Sequence, residues 1–175
     1  MEIVRVVTGT LDENCYVLKI DDKCLLIDPG ADADKIKEAM GEAKLLGILV
    51  THSHFDHVGA LREFLKNNRK LMVYKKSNLQ DLVEKEIGPF KFKCYYTPGH
   101  SSDSVSFFFK EENTLFVGDF IFKGTIGRTD LPTGRSTDMQ KSLEKLKEFD
   151  NTTKIYSGHG ELTTLEEERK NNPYL

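Results

Sequence analysis

A histidine-rich loop that directly follows an apolar run constrains the fold of this chain more than any other feature. Residues 45–50 form a continuous apolar run of strand length, and the next residues read Thr51-His52-Ser53-His54-Phe55-Asp56-His57. A solvated loop would normally use Lys, Glu or Ser, so a cluster of imidazole and carboxylate side chains has little structural use there. The pattern favours a buried strand whose carboxyl end opens onto a metal-binding loop.

The remaining candidate ligands occupy equivalent positions. Each follows a predicted strand by a few residues: His100 after 92–96, Asp119 after 114–117 and His159 after 154–156. Taken alone, each of them is typical of a surface or turn residue. Because loops beyond strand ends carry functional groups on a rigid sheet, their convergence would bring five imidazoles and two carboxylates together. Imidazole and carboxylate ligands suit transition metals, and a carboxylate can bridge two ions.

Composition excludes several classes of protein. A chain of 175 residues with 38% hydrophobic and 30% charged residues is typical of one globular domain, predicted to span residues 1–175. The net charge is -3, with no basic block and no long apolar run, so we expect neither a nucleic-acid surface nor a membrane span. The first residues do not resemble a secretory signal, which favours the cytoplasm.

The three cysteines, Cys15, Cys24 and Cys94, are widely spaced and lie in apolar, strand-like contexts. They are predicted to be small buried hydrophobic side chains, and an odd number of them suits a reducing compartment.

The pattern of elements predicts two sheets with helices packed outside them. Strands are predicted at 3–7, 15–20, 24–27, 45–50, 71–74, 90–96, 104–109, 114–117 and 154–156, and helices at 32–40, 58–67, 77–87, 137–149 and 164–170. The helix at 77–87 would begin at Ser77 and end at Gly88-Pro89. A purely alternating chain of strands and helices would not start with three strands in a row.

The motif from His52 to His57 resembles the signature of the metallo-β-lactamase fold superfamily. Further matches follow in the family's order at Pro98-Gly99-His100, Gly118-Asp119 and Gly158-His159-Gly160. Residues 118–132 and the final stretch 167–174 look like short members of the glyoxalase II branch, the hydroxyacylglutathione hydrolases. The resemblance covers nearly the whole chain. It implies an α/β fold, a four-layer αβ/βα sandwich of two mixed β-sheets flanked by helices.

The resemblance also implies the ligand sets of two divalent metal ions. His52, His54 and His100 would bind the first ion, Asp56, His57 and His159 the second, and Asp119 would bridge them. Zinc is the default because it is redox-inert and fits His and Asp ligands, with iron or manganese as alternatives. Asp28, at the end of a strand, is expected to form a turn or to orient a ligand histidine.

Such a centre predicts hydrolysis of a small-molecule thioester or ester. Two adjacent ions lower the pKa of water and polarise a carbonyl, so Asp56 and Asp119 would be catalytic through the ions that they hold. A thiol with a pKa of about 8.5 leaves without a strong general acid, whereas an amide nitrogen must be protonated and every histidine is already used as a ligand. Arg128 and Lys123 are candidates to meet a substrate carboxylate, although an Arg128–Asp130 pair that fixes the loop is the favoured interpretation.

The chain departs from the full-length glyoxalase II pattern. Sixteen residues follow His159, so we expect no C-terminal glutathione-binding helical domain, and glutathione as the thiol half of the substrate stays in question. Residues 101–104 and 133–135 also differ from the usual family sequences. Two alternatives remain open: a mono-iron sulfur dioxygenase, which would use two His and one Asp, and a non-catalytic metal-binding domain. The oligomeric state is not predicted.

Overall fold

Thirteen strands form two mixed sheets and a short ribbon in the computed structural model, which describes residues 1–66, 68 and 70–175. The first sheet contains, in spatial order, β1 (Glu2–Thr8), β2 (Glu13–Ile20), β3 (Lys23–Ile27), β4 (Lys44–Leu49) and β5 (Met72–Tyr74). The second contains β13 (Thr163–Thr164), β12 (Lys154–Ser157), β9 (Thr114–Gly118), β8 (Val105–Phe109), β7 (Phe90–Tyr96) and β6 (Glu84–Ile87). The ribbon pairs β10 (Ile121–Phe122) with β11 (Thr125–Ile126).

Helices cover the outer faces of both sheets. They are α1 (Ala33–Met40), α2 (Phe55–Val58), α3 (Leu61–Lys66), α4 (Ser136–Glu144) and α5 (Leu165–Asn171), with 3-10 turns at Lys76–Asn78 and Lys145–Glu148. Over the described ranges, no helix is both long and apolar enough to cross a membrane.

Three apolar clusters separate four layers. One cluster fills the space between the two sheets and includes Phe92, Phe107 and Phe116. A second joins the outer face of the second sheet to α4 and α5, and a third joins the outer face of the first sheet to α1 and α3. This is the helix–sheet–sheet–helix order that the sequence predicts.

Strand direction places the loops that carry the candidate ligands at one edge of the sandwich. β3, β4 and β5 run parallel to one another, as do β9 and β12 in the other sheet, while the remaining pairings are antiparallel. Parallel neighbours end at the same edge, so the segments after β3 and β4 emerge together, and so do those after β9 and β12. An isolated bridge between Glu13 and His159 joins the edges of the two sheets.

The cysteine prediction is confirmed, because all three side chains are free and buried. Most predicted strands also form, within one or two residues of the expected bounds.

The helix predicted over residues 77–87 is wrong. The end of this stretch is β6, which pairs antiparallel with β7. Leu79 and Ile87 are each 8% exposed and pack between the sheets, while Leu82 and Val83, on the apolar face of the expected helix, are 49% and 48% exposed. Pairing with β7 and burying the two ends of the stretch outweighs local helical spacing.

The helix predicted over 58–67 forms only from Leu61, as α3, because its first residue, Val58, is the last residue of α2. The backbone N–H of Ala60 donates to the carbonyl oxygens of Pro29 (3.0 Å) and Gly30 (2.9 Å), so the turn is bonded to another loop rather than to its own helix. The predicted end at Asn67 lies outside the described residues.

Two further details differ from the sequence expectation. The helix predicted over 137–149 is α4 followed by a 3-10 turn. The ribbon of β10 and β11 was not expected, although Lys123-Gly124 separates its apolar residues and Gly124 has a positive φ of 75° that suits a tight turn.

Candidate metal centre

The loop after β4 positions the largest share of the candidate ligands. His54 has extended backbone angles and precedes α2, so Asp56 and His57 lie on the first turn of a short helix. This helix packs tightly on the loop after β3: a Cβ on Gly30 would lie 1.8 Å from the carbonyl oxygen of Asp56. Only a glycine allows this approach, and the contact fixes the height of the helical turn above the sheet edge.

Three imidazoles meet at the first candidate site. Single ring nitrogens of His52, His54 and His100 all lie within 4.8 Å of one another. Nδ1 of His54 lies 3.1 Å from Nε2 of His52 and 2.9 Å from Nε2 of His100. His52 and His100 are buried, and His54 is partly exposed toward the cavity.

Two imidazoles and a carboxylate meet at the second candidate site. Ligand atoms of Asp56, His57 and His159 lie within 4.8 Å of one another. Oδ2 of Asp56 is 3.3 Å from Nε2 of His159 and 3.8 Å from Nε2 of His57. Gly158, which precedes His159, leaves room for the Asp119 carboxylate beside these ligands, since a Cβ on residue 158 would lie 2.4 Å from Oδ1 of Asp119.

Asp119 contacts both groups. Its Oδ1 is 3.3 Å from Nε2 of His57, and its Oδ2 is 3.5 Å from Nε2 of His100 and 3.7 Å from Nε2 of His159. The structure therefore brings together all seven residues that the sequence proposed as metal ligands, with Asp119 between two sets of three.

Hydrogen bonds on the outer nitrogens decide which imidazole nitrogen faces the cluster. Nδ1 of His100 lies 2.8 Å from the carbonyl oxygen of Arg128, and Nδ1 of His159 lies 3.0 Å from that of Leu11. Because a carbonyl oxygen only accepts, each Nδ1 carries the proton and each Nε2 keeps its lone pair. These are the tautomers that metal-binding histidines need.

Asp28 accepts a hydrogen bond from Nδ1 of His57, as the backbone carbonyl oxygens do from His100 and His159. Its Oδ2 lies 3.0 Å from Nδ1 of His57 and accepts from the Thr51 hydroxyl at 2.5 Å, while its Oδ1 accepts from the Thr51 backbone N–H at 2.7 Å. The Thr51 oxygen in turn lies 3.1 Å from Nδ1 of His52. Asp28 thus orients two imidazoles, as the sequence suggested for one. Asp28, His52 and His57 also form a third close group of possible ligand atoms, but the Asp28 oxygens are already used as acceptors.

The charges and unsatisfied atoms of the cluster fit divalent cations. Nε2 of His57 and Oδ1 of Asp119 are buried, yet neither has a hydrogen-bond partner, which is unfavourable unless another group satisfies them. Burial, followed by the charge of neighbouring His57, lowers the pKa of His52 to about 2, so this ring is neutral. Burial alone would raise the pKa of Asp119, but the close contact and charge of neighbouring His57 hold it below its usual range. A neutral His52 and an ionised Asp119 are the ligand forms that metals require. Burial alone would lower the pKa of His57, but its contacts with the carboxylates of Asp119 and Asp28 raise that pKa well above its usual range, so an ion would displace a proton from this ring.

Two residues near the cluster were missed by the sequence reasoning. Glu13 is 1% exposed, accepts from the Thr8 hydroxyl at 2.7 Å and lies 3.9 Å from Nδ1 of His57, and burial followed by the charge of Asp28 raises the pKa of Glu13 to about 9. Asn14 donates from its side chain to the carbonyl oxygens of Ser157 and Gly160, both at 3.0 Å, which holds the loop of His159 against β2. Only the fold places these polar residues inside the protein, so nothing in their local sequence marked them.

Arg128 borders a cavity of about 750 Å³ that lies over the cluster, here called the cluster cavity. Its guanidinium makes two hydrogen bonds of 2.7 Å to Asp130, so the predicted loop-fixing pair forms. Lys123 pairs with Glu161 at 2.6 Å, and it does not belong to the described residues that line this cavity. Of the two basic candidates, Arg128 is the one at the cavity.

Comparisons with known proteins agree with this geometry. The sequence profile of the metallo-beta-lactamase superfamily matches residues 8–71 and 75–159. The chain is similar to the probable metallo-hydrolase YqgX of Bacillus subtilis (strain 168), with 35% identity over 98% of this chain and 96% of that protein. It is 28% identical to the hydroxyacylglutathione hydrolase GloC of Haemophilus influenzae over all of this chain and 98% of that protein.

Solved structures give the same result for the fold. The BLEG-1 B3 metallo-beta-lactamase superposes with a TM-score of 0.93 at 32% identity, covering 99% of both chains. TTHA1623, solved in a di-iron-bound form, superposes with a TM-score of 0.87 at 30% identity over 98% of this chain and 100% of that one. The predicted resemblance and the sandwich of two mixed sheets flanked by helices are confirmed.

Proposed function

Because the chain belongs to the metallo-beta-lactamase superfamily, a superfamily of metallo-hydrolases, we propose that it is a binuclear hydrolase of thioesters of the hydroxyacyl type. One observation carries this proposal: two sets of three ligand-capable side chains face each other across Asp119, whose two oxygens lie 3.3–3.7 Å from imidazole nitrogens of both sets. A single structural ion would need only one such set.

In this proposal His52, His54 and His100 hold the first ion, Asp56, His57 and His159 hold the second, and Asp119 binds both. When bound, the ions supply an activated water and polarise the substrate carbonyl. The chain's own residues hold the geometry. Outer hydrogen bonds keep the proton of His57, His100 and His159 on Nδ1, and the buried position of Asp119 keeps its carboxylate between the two sets.

The choice of a thioester follows from the proton inventory of the site. Hydrolysis joins a water oxygen to the acyl carbon and breaks the C–S bond, and the sulfur leaves as a thiolate that needs no strong acid, since thiol pKa values are about 8.5. An amide nitrogen must be protonated as it leaves. All five histidines of the chain lie in the cluster, so none is free to supply that proton.

The metal and the thiol half of the substrate are further parts of the proposal. We propose zinc, because His and Asp ligands suit it and it is redox-inert; the di-iron form of TTHA1623 makes iron the main alternative. A relative matched over 98% of its length carries the name hydroxyacylglutathione hydrolase. Lys123 and Arg128 are both paired with carboxylates of the chain, so neither is free to bind the carboxylates of glutathione. We therefore expect only weak selection for glutathione over a smaller thiol. Arg128 is the better placed of the two to contact the thiol half, because it lines the cluster cavity.

The cellular setting follows from the same features. The three buried free cysteines suit a reducing compartment, which supports the cytoplasm. The substrate is a small molecule, since the cavity over the cluster is about 750 Å³.

Steady-state hydrolysis of lactoylglutathione and of the same acyl group on N-acetylcysteamine tests the function. The zinc-loaded protein should hydrolyse both. Asp56→Ala should lower kcat/KM by a factor of about 100 or more, because removing a ligand disturbs the second ion. Asp34→Ala is the matched control, since the Asp34 side chain is 98% exposed on α1.

One outcome would overturn the proposed hydrolysis, and another would overturn only the expectation about glutathione. One is an iron-loaded protein that consumes oxygen with glutathione persulfide while leaving both thioesters intact, which would establish a dioxygenase. The other is preference for the glutathione ester by a factor of a thousand or more, about 4 kcal/mol, which would leave thioester hydrolysis standing but disprove weak glutathione recognition.

A further inference from the structure

A second cavity adjoins the cluster cavity. It measures about 480 Å³ and lies between the β1–β2 turn, the start of α1 and the α2–α3 segment; it is called the side groove below. Leu11, Phe55 and Asp56 line both cavities. The side groove therefore lies directly beside the space over the cluster, and the two share a proposed ligand of the second ion in their walls.

The lining of the side groove is apolar. Leu11 and Phe55 are 51% and 74% exposed, and both line the groove. Ala31, Ala33 and Ala60 also line the groove, and the latter two join it to the apolar cluster on the outer face of the first sheet. Together these residues offer a surface that gains free energy by covering hydrocarbon.

The acidic side chains that line the side groove disfavour binding of a negatively charged ligand. Among the residues described as lining it, none is basic, and the charged ones are Asp32, Asp56 and Glu63. Asp32 is already paired with Lys35 at 3.1 Å and accepts from the backbone N–H of Gly9 at 3.1 Å. A carboxylate or phosphate tail would lie among acidic groups, whereas a neutral hydrocarbon chain would not be repelled.

The cluster cavity differs from the side groove in having a basic residue in its described lining, although it also contains the apolar Leu131 and Pro132. Its wall includes Ser102 and Thr133, and its one basic residue among the described lining is Arg128, which is paired with Asp130. Hydroxyl groups and a neutralised ion pair suit the amide-bearing thiol half of a thioester. The absence of basic residues from the described lining of the side groove makes it the better of the two places for the uncharged half of a thioester.

We propose that the side groove is an acyl-binding subsite for an uncharged aliphatic chain, so that the enzyme prefers acyl groups longer than lactoyl. The proposal rests on thioester hydrolysis as the proposed function and adds the acyl class to it. Complete burial of a methylene corresponds to about a fourfold gain in binding. The groove is open on one side, so we expect about twofold per methylene in kcat/KM, or roughly sixtyfold over the six methylenes that separate octanoyl from acetyl.

The experiment uses N-acetylcysteamine thioesters of acetate, butanoate, hexanoate and octanoate with the zinc-loaded protein. In the wild type, kcat/KM should rise along the series. Ala33→Phe fills the groove from the start of α1 and should reduce the octanoyl-to-acetyl ratio at least tenfold. Glu38→Phe is the matched control, because Glu38 is exposed on the same helix and does not line the groove.

A second variant and a binding measurement separate the possible failures. Thr10→Phe fills the groove from the exposed β1–β2 turn and should reproduce the effect if Ala33→Phe fails to fold. Calorimetric titration should show octanoate binding at least tenfold more tightly than acetate, with the difference lost in the filled variants. If no thioester is hydrolysed but octanoate binds in this way, the proposed function fails and the acyl subsite stands. A flat or falling kcat/KM series, or equal binding of the two acids, overturns the subsite.

Discussion

Replacing Asp28 with Asn is expected to move the proton of His57 to the nitrogen that faces the cluster. Oδ1 of Asp28 accepts from the backbone N–H of Thr51 at 2.7 Å, so the amide oxygen of an asparagine would stay there. Its NH2 group would then take the place of Oδ2, which lies 3.0 Å from Nδ1 of His57. Because an NH2 group donates, Nδ1 would have to accept, and the proton would go to Nε2.

The magnitude follows from what Nε2 does. It lies 3.3 Å from Asp119 and needs its lone pair to bind an ion. Loss of an outer hydrogen bond to a ligand histidine typically weakens metal binding by about 10- to 100-fold, or roughly 1.4 to 2.7 kcal/mol. The backbone should tolerate the change, since Asp28 has a φ of 49° and asparagine also accepts this left-handed conformation.

Chelator competition measures the affinity for the second ion, and nitrogen chemical shifts of the imidazole report its tautomer. Asp21→Asn is the matched control, because Asp21 has a similar φ of 52° but is exposed in the β2–β3 turn. If Asp28→Asn binds the second ion as tightly as the wild type, or keeps the His57 proton on Nδ1, the reasoning about the outer hydrogen bonds is refuted.

Three further changes test other parts of the structure. Burial, followed by the charge of Asp28, raises the pKa of Glu13 from 4.5 to about 9. Between these two pH values the folded metal-free protein keeps the Glu13 proton, whereas the unfolded chain has lost it. The free energy of unfolding should therefore fall as pH rises from about 4.5 to 9, by at most about 1.4 kcal/mol per pH unit. Urea unfolding at pH 6 and 8.5 should show a smaller loss in Glu13→Gln, and an unchanged loss would assign the pH dependence elsewhere. Asp103 accepts from Ser53 at 2.5 Å and from Ser101 at 2.7 Å, joining the loops of His54 and His100. Asp103→Ala removes both bonds and should weaken binding of the first ion by about 3- to 10-fold in chelator competition, whereas unchanged affinity would make the bridge irrelevant to the site. Phe116→Ala should cost about 3–5 kcal/mol in urea unfolding, because this ring is fully buried between the sheets, and a loss below about 1 kcal/mol would contradict the packing described.

The candidate ligands could be found from the sequence because each follows a strand that its own residues predict. The motif from His52 to His57 is local, and His100, Asp119 and His159 each come directly after an apolar run. Loops beyond parallel strands of one sheet converge, which brings His100, Asp119 and His159 together. Their meeting with the His52–His57 loop, which follows a strand of the other sheet, depends on how the two sheets pack and was implied only by the family resemblance.

Other parts of the site depend on contacts that no local pattern reports. Glu13 is buried only because β2 packs against the loop of His159 from the other sheet. Both cavities lie where the β1–β2 turn approaches α2, and these two segments are distant from each other along the chain. In residues 77–87 the apolar spacing suits a helix, but the free edge of β7 and the core between the sheets stabilise a strand instead.

Metal content per chain tests the central claim most directly. The protein is loaded with zinc, freed of excess metal by gel filtration and analysed for zinc and protein in the same fractions. The two sets of three ligands that share Asp119 predict two ions per wild-type chain, and one in His159→Ala, where only the second set is broken. A wild-type protein that retains at most one ion under these conditions would contradict a binuclear centre.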